Sequence, residues 1–430
     1  MKLNMKKNYS KQRGITLIAL VITIAVLLIL AGISISALFG NSGIIEKAKD
    51  AQNKMDQATQ NDLDAINGLN EWIDEQTNET TEENETVDIS TIVGKITEKN
   101  TKAKDVYGNK ITVPKGFKIL EHNSTSNTGE VTYNYTNSEE TGEHIPAVQD
   151  GIVIENGTDG NQFVWVPVGT IKNKDNTKNT ITLGRYSDFT MTNGEVSLGQ
   201  PVQVASVENC TQAVTINEYY QELGTFREGN DKEDSTAENA TARDLKTFIE
   251  TTLANRGYYI ARYEASGTTS QIESKYNQTV LINITQPDAA KAAREMYGEV
   301  KENNELIYAS DLVNSYAWDT AIIFIQTYST GEDASSYASQ NKCTSFANTG
   351  INNDKYCNIW DMSGNVMEWT TENSTKLEAE KGYPCVVNGG YWNSYVGETG
   401  KKFENTLFCF YNSTKSNAIF LGLRPILYAK

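Results

Sequence analysis

Histidine is almost absent from this 430-residue chain, which has only His122 and His144. Neither lies near a plausible catalytic cluster, which excludes histidine-based acid–base or triad chemistry. The five cysteines, Cys210, Cys343, Cys357, Cys385 and Cys409, show no CxxC or zinc-type spacing. An odd number leaves at least one thiol outside any disulfide. Charge is missing altogether between Ile15 and Ile45, and acidic charge is missing before it, where Lys2, Lys6, Lys7, Lys11 and Arg13 are the charged residues. Over the whole chain basic residues are the minority, 38 against 55 acidic ones, for a formal net charge of −17. Such an acidic body repels phosphate, so no nucleic-acid partner is expected, and the charge reads as a solubility device. No internal repeat of fixed period is present.

What is there divides the chain. With 38% apolar and 22% charged residues, part of it can bury a core, and its length allows two or three folded units. The run ITLIALVITIAVLLILAGISISALFG exceeds the about 20 apolar residues that span a bilayer. The basic flank before it places the N-terminus in the cytoplasm and the rest outside. A cleaved secretory signal is the competing reading, although its apolar region is usually shorter and ends in a small-x-small site. Here the run continues as an amphipathic helix in which Met55, Ala58, Ile66, Leu69 and Ile73 recur at near-helical spacing.

The stretch KQRGITLIALVITIAVLLIL resembles the N-terminus of type IV prepilins and pseudopilins. The resemblance implies cleavage by a prepilin peptidase between Gly14 and Ile15, methylation of the new terminus, and pilus or pseudopilus subunits as partners. One departure is Ala19, which stands where filament-forming pilins usually carry Glu to pair with the free amine of a neighbour. An ammonium without a carboxylate partner in lipid is costly. A minor or tip subunit, or a plain membrane anchor, fits better than a major subunit.

This reading gives a leader at 1–14, an apolar membrane helix continuing as an amphipathic one at 15–75, and a flexible acidic linker at 76–95. A small β-hairpin segment with a loop follows at 96–150, then a body at 151–430. In the hairpin segment the turn falls at Tyr107-Gly108-Asn109. In the body, Ile152–Ile154 and Phe163–Val168 read as strands, with Pro167 at an edge or a strand end. Residues 241–257 read as a helix stopped by Gly257, and 258–267 as a strand. Residues 289–298 and 315–328 read as two further helices. The fold class expected is α+β.

Six landmarks in order, FVWVPVG (163–169), YYIARYEAS (258–266), SYAWDTAIIFI (315–325), NIWDMSGNVMEW (358–369), VVNGGYWNS (386–394) and LGLRPIL (421–427), resemble the formylglycine-generating enzyme, or sulfatase-modifying-factor, family. The resemblance implies a C-type lectin-like body, here preceded by a long N-terminal membrane-spanning, pilin-like α-helix. Fold alone does not give function. Oxidising members carry a copper-binding cysteine pair whose first position is Ser394 here. Cys409, which could match a later cysteine, has no partner at the needed spacing. Copper is not expected, and neither is enzyme activity.

In calcium-binding members the DMSGNVMEW stretch supplies the metal ligands. Carried across, these are the Asp361 and Glu368 side chains and the Gly364 and Val366 carbonyls, a hard-oxygen set of the kind calcium takes. Two other readings stand beside it. The acids could accept hydrogen bonds within a tight loop, or act as a catalytic pair, which would need a cleft and a defined separation. Trp360, Trp369 and Trp392 read as core.

The segment 393–420 mixes aromatic residues with Asn, Ser and Thr, as adaptable binding surfaces do. Candidate ligand contacts are Tyr391, Asn393, Tyr395, Phe403, Phe410, Tyr411 and Asn412, with strand alternation sending part of them to the core. The layout also resembles the variable proteins of diversity-generating retroelements. The function expected is ligand binding or adhesion at the cell surface, on an extracellular protein or glycan. The alternatives are a minor pilin or pseudopilin and a formylglycine-generating-type oxidoreductase.

Overall fold

The computed structural model describes residues 86–120, 146–186, 189–192, 195–198, 201–203, 245–329, 337, 345–373, 385–390, 392, 409–412 and 417–429. The chain divides between Asn84 and Glu85, and the described residues belong to the second unit. The leader, the cleavage pair Gly14 and Ile15, and the pilin-like helix lie outside the described residues. Among the described residues no helix is long and apolar enough to cross a membrane.

The body is α+β, mostly strand. The elements that matter for the site are, in chain order, β1 (Phe117–Ile119), β2 (Val153–Asn156), β3 (Gln162–Pro167), helix α1 (Leu245–Asn255), β4 (Gly257–Ala261), helix α2 (Gln286–Glu295), β5 (Glu299–Glu302) and β6 (Glu305–Leu312). Helix α3 (Ser315–Tyr328) follows, then β7 (Met367–Asn373), β8 (Cys385–Asn388), β9 (Cys409–Asn412), β10 (Leu421–Leu423) and β11 (Pro425–Ala429). Seven strands form one sheet in the order β5-β6-β11-β4-β3-β2-β1, and four form a second in the order β9-β8-β7-β10.

The central strands of the large sheet are apolar on both sides because both sides are covered. Val164, Val166, Tyr258, Ile260, Ile426 and Tyr428 pack with α1 and α3. Their neighbours Phe163, Trp165, Tyr259, Ala261, Leu427 and Ala429 pack with the hairpin segment, including Ile111, Val113 and Phe117. This is the period-2 alternation of a strand expressed twice. The hairpin pairs Thr101–Lys104 with Lys110–Val113. The Asp105 carboxylate closes its turn by accepting from the N–H groups of Tyr107 and Asn109. The segment is not a separate module. Strand β1 is an edge of the large sheet, paired to β2, and the Tyr259 hydroxyl donates to the Thr112 carbonyl at 2.9 Å.

One sequence alternative is decided and two expectations change. Pro167 ends a strand in the sheet interior, between β2 and β4, so it marks a terminus and not an edge. Arg256, at φ 59°, takes the left-handed position after α1, and Gly257 opens β4. Glycine is required there because a Cβ would lie 2.3 Å from Cζ2 of Trp165. The strand expected over 258–267 ends at Ala261. Beyond it Arg262 and Glu264 are both fully buried, held by polar partners that a sheet ladder does not offer. Helix α3 spans its expected residues, and its N-cap Asn314 accepts from the Ala317 N–H at 2.9 Å.

Candidate functional site

The DMSGNVMEW segment runs from a loop into β7. Strand β7 pairs in parallel with β10, with Trp369 opposite Leu423. The chain then passes through Arg424 into β11 of the large sheet, so Arg424 stands at the joint between the two sheets. That topology brings Glu368 and Arg424 together. Both are completely buried, with Nη2 2.8 Å from Oε1. Arg424 Nε donates to both Glu368 oxygens at 2.9 and 3.0 Å. Its Nη1 donates to the Ala261 carbonyl and its Nη2 to the Trp360 carbonyl, each at 2.9 Å. The guanidinium thus stitches β7, the end of β4 and the hairpin at Ile359–Trp360 to one point.

Glu264 is the second buried acid. It accepts from the Val366 N–H at 3.1 Å and from the Asn365 side-chain amide. Burial, then the nearby charges of Asp361 and Glu368, push its carboxyl well above the usual range, against the pull of Arg424. Burial likewise pushes Glu368 up, with Arg424 acting against it. Burial lowers Arg424, but Glu368 more than offsets this and the guanidinium stays firmly charged.

The loop itself grips a neighbouring segment. Asp361, buried and at φ 58°, accepts from the Gly350 N–H at 2.6 Å. Asn365, also buried, accepts from the Ala347 N–H at 3.0 Å and donates to the Ala347 carbonyl at 3.3 Å. The Asn365 carbonyl takes the Trp392 N–H at 3.0 Å. Gly364 sits at φ 112°, where a side chain is rarely tolerated. Asp354, a further buried acid, accepts from the Tyr337 hydroxyl at 2.8 Å and from the Ser363 N–H at 2.9 Å.

Of the sequence-derived metal set, Asp361 and Glu368 do converge, since both act electrostatically on Glu264 and Arg424. Both oxygens of Glu368, however, already meet a cation. Among the described residues no group of three or more His, Cys, Asp or Glu side chains is arranged to hold a metal ion. A calcium ion at these residues would have to displace Arg424 from Glu368. A guanidinium supplies the positive charge that the acids need.

Of the sequence-derived ligand contacts, Tyr391, Asn393, Tyr395 and Phe403 lie outside the described residues, as does Ser394. Phe410, Tyr411 and Asn412 lie on β9, an edge strand of the four-stranded sheet, paired to Val387, Val386 and Cys385. Trp369 is core, its Nε1 donating to the Ile284 carbonyl at 2.8 Å. Trp360, on the hairpin strand Ile359–Trp360 beside Tyr263 and Tyr276, and Trp392, beside Phe346, are only half-buried. Phe346 is 42% exposed and stands edge-on to Trp392, with ring centroids 6.1 Å apart. Burial pushes the Cys357 thiol up to about 12, although the Ser329 hydroxyl beside it, 3.1 Å away, acts to lower it.

Glu264, Arg424 and Asn365 are parts of the site that sequence reasoning passed over, although all three lie in quoted landmarks. The available signal was a charge inside an apolar strand-like run, which must be paired if it is buried. Nothing in the sequence marked Phe346.

The model of the sulfatase-modifying factor enzyme 1-like domain matches residues 151–427. The chain belongs to the sulfatase-modifying factor enzyme 1-like family. Residues 9–35 of this family member match the prokaryotic N-terminal methylation motif. No curated protein matches it. Solved structures similar to it include that of CarF, at 13% identity and TM-score 0.27, covering 40% of this chain and 87% of that one. The Major Tropism Determinant I1 variant matches at 12% identity and TM-score 0.24 over 80% of this chain and 98% of its own. The Treponema denticola variable protein 1 matches at 13% identity and TM-score 0.23 over 63% and 96%. Likenesses of this size carry no functional argument.

Proposed function

We propose that the protein is a ligand-binding protein of the cell surface, anchored in the membrane or associated with a pilus, and that its C-type lectin-like body is not catalytic. The observation that carries this reading is the commitment of the signature acids. Glu368 is locked to Arg424 and Glu264 to Val366 and Asn365, while Asp361 holds the Gly350 N–H. None is poised for proton transfer to a substrate, since each is buried and engaged as a structural tie. The same ties fix the backbone beside the exposed Phe346 and the half-buried Trp392, which is how a binding surface is built on a rigid scaffold.

The methylation motif at 9–35 supports delivery of this body by the prepilin route, with prepilin peptidase cutting between Gly14 and Ile15. The new terminus then anchors the chain or enters a filament as a minor subunit, Ala19 disfavouring the major role. An oxidoreductase of the formylglycine-generating type is the second reading, and Ser394 at the first cysteine position argues against it.

The test is a screen of the full-length chain against arrayed glycans and extracellular proteins, run beside an oxygen-consumption assay with a cysteine-bearing peptide. Specific binding without turnover is expected. Turnover of the peptide, with no binder of micromolar affinity, refutes the reading.

A further inference from the structure

The stretch Ser345–Asn353, SFANTGINN, carries no charge, although the chain as a whole carries −17. It is not a loose loop. The Ala347 backbone is held on both sides by Asn365, and the Gly350 N–H by Asp361. On its other flank the Thr349 carbonyl accepts from the Asn277 N–H at 2.7 Å, and the Thr349 N–H donates to the Gln278 carbonyl at 2.9 Å. The Asn348 amide donates to the Asn277 side chain at 3.1 Å. A rigid ledge results. It presents Phe346, Asn348 and Ile351 to solvent, next to exposed Asn277 and Thr279 and the half-buried Trp392.

We propose that this ledge is a binding site for a neutral saccharide, with the Phe346–Trp392 pair as its stacking platform. The inference rests on the ligand-binding reading above and names the ligand class. The chemistry argues for it. A pyranose ring has an apolar C–H face, which an aromatic ring can cover, and a rim of hydroxyls, which amide and hydroxyl side chains can bond. An anionic ligand finds no cation on the 345–353 stretch, the neighbouring Lys275 being paired with Glu273 at 2.8 Å, and a basic one meets only the buried acids Asp354 and Asp361. A folded protein partner needs about 1,200–2,000 Å² of total buried surface, and one half-exposed Phe with one Ile is a small apolar centre for that. The backbone is fixed in advance, so little ordering entropy opposes a weak, small ligand. Asp361 and Asn365 are then positioning residues. They hold the ledge and do not touch the sugar.

The experiment uses the full-length chain in a sugar-free detergent. Neutral oligosaccharides of α- and β-linked glucose, galactose and mannose serve as probes, with sulfated and sialylated counterparts beside them. Binding is read by calorimetry and by tryptophan fluorescence. At least one neutral oligosaccharide is expected to bind, with a Kd that changes less than about twofold between low and high salt. Phe346→Ala should weaken that binding by about tenfold or more, Phe346→Tyr should restore it, and the melting temperature should not move in either variant. A second variant, Asn348→Ala, should weaken binding without disturbing the platform.

The proposal is overturned by wild-type affinity in Phe346→Ala, by binding of charged glycans alone, or by no saccharide binding at all. A protein ligand captured equally by wild type and Phe346→Ala also overturns it, while leaving the broader binding function standing.

Discussion

Arg424→Met removes the cation from the buried joint between the two sheets. It leaves Glu368 with both oxygens unpaired in a site whose solvent exposure is zero, close to two further acids, Glu264 and Asp361. Breaking one side of such a pair costs roughly 3–5 kcal/mol, because an uncompensated charge stays buried. The carbonyls of Ala261 and Trp360 lose their donors as well, which adds to the cost in the same direction. For a body of this size each kcal/mol lowers the melting temperature by roughly 2–4 °C, so a fall of about 6–20 °C is expected. The assay is thermal and urea unfolding of the full-length chain, wild type against variant. The double variant Glu368→Leu/Arg424→Met removes both charges and should recover most of the loss, since an apolar pair of similar volume is often neutral in such a place. A single-variant loss below about 1 kcal/mol, or a double variant no better than the single, refutes the claim that this pair holds the joint.

Four further outcomes follow from the same geometry. Glu264 has its carboxyl raised above the ordinary range by burial and by the acids beside it. The folded state therefore holds a proton that the unfolded state releases, and stability falls as pH rises from the ordinary glutamate range toward the raised value. Glu264→Gln should flatten that fall in pH-dependent urea melts, and an unchanged slope contradicts it. Gly257→Ala places a Cβ 2.3 Å from Trp165 and should destabilise by about 1–3 kcal/mol in the same melts, a neutral effect being inconsistent with the packing. Calcium should leave the melting temperature unchanged, because Arg424 already serves Glu368. A rise of several degrees, lost in Glu368→Gln, would support the metal reading. With its thiol near pKa 12, Cys357 is about one part in ten thousand thiolate at pH 8, and mass-mapped alkylation should find it unreacted in the native chain.

The elements with strong local signals were legible in the sequence. Helix α3 carries a long apolar run behind an Asn cap, and the alternation of FVWV fits a strand whatever surrounds it. Boundaries set by distant partners were not legible. Gly257 looks like a helix stop because glycine often is one, and only the packing of Trp165 against it shows the other reason. Trp360 and Trp392 read as core because tryptophan usually is, but both are half-buried, which depends on what the tertiary structure packs against them. The site was visible in part. Asp361 and Glu368 stood out as an acid pair, whereas Glu264 and Arg424 passed as strand residues because their partners lie 102 and 56 residues away.

The sequence by itself determined the family, through six landmarks in order, and the charge-free run at the N-terminus with its processing motif. Both are local patterns, readable without knowing what touches what. Only the tertiary structure decided what the acids of DMSGNVMEW touch. The parallel pairing of β7 with β10 delivers Arg424 to Glu368, and a carboxylate buried against a guanidinium is a structural tie. It also decided that Phe346, unremarkable in the sequence, is held in the open beside Trp392. That placement comes from hydrogen bonds to Asn365 and Asp361, residues whose own position depends on the joining of the two sheets.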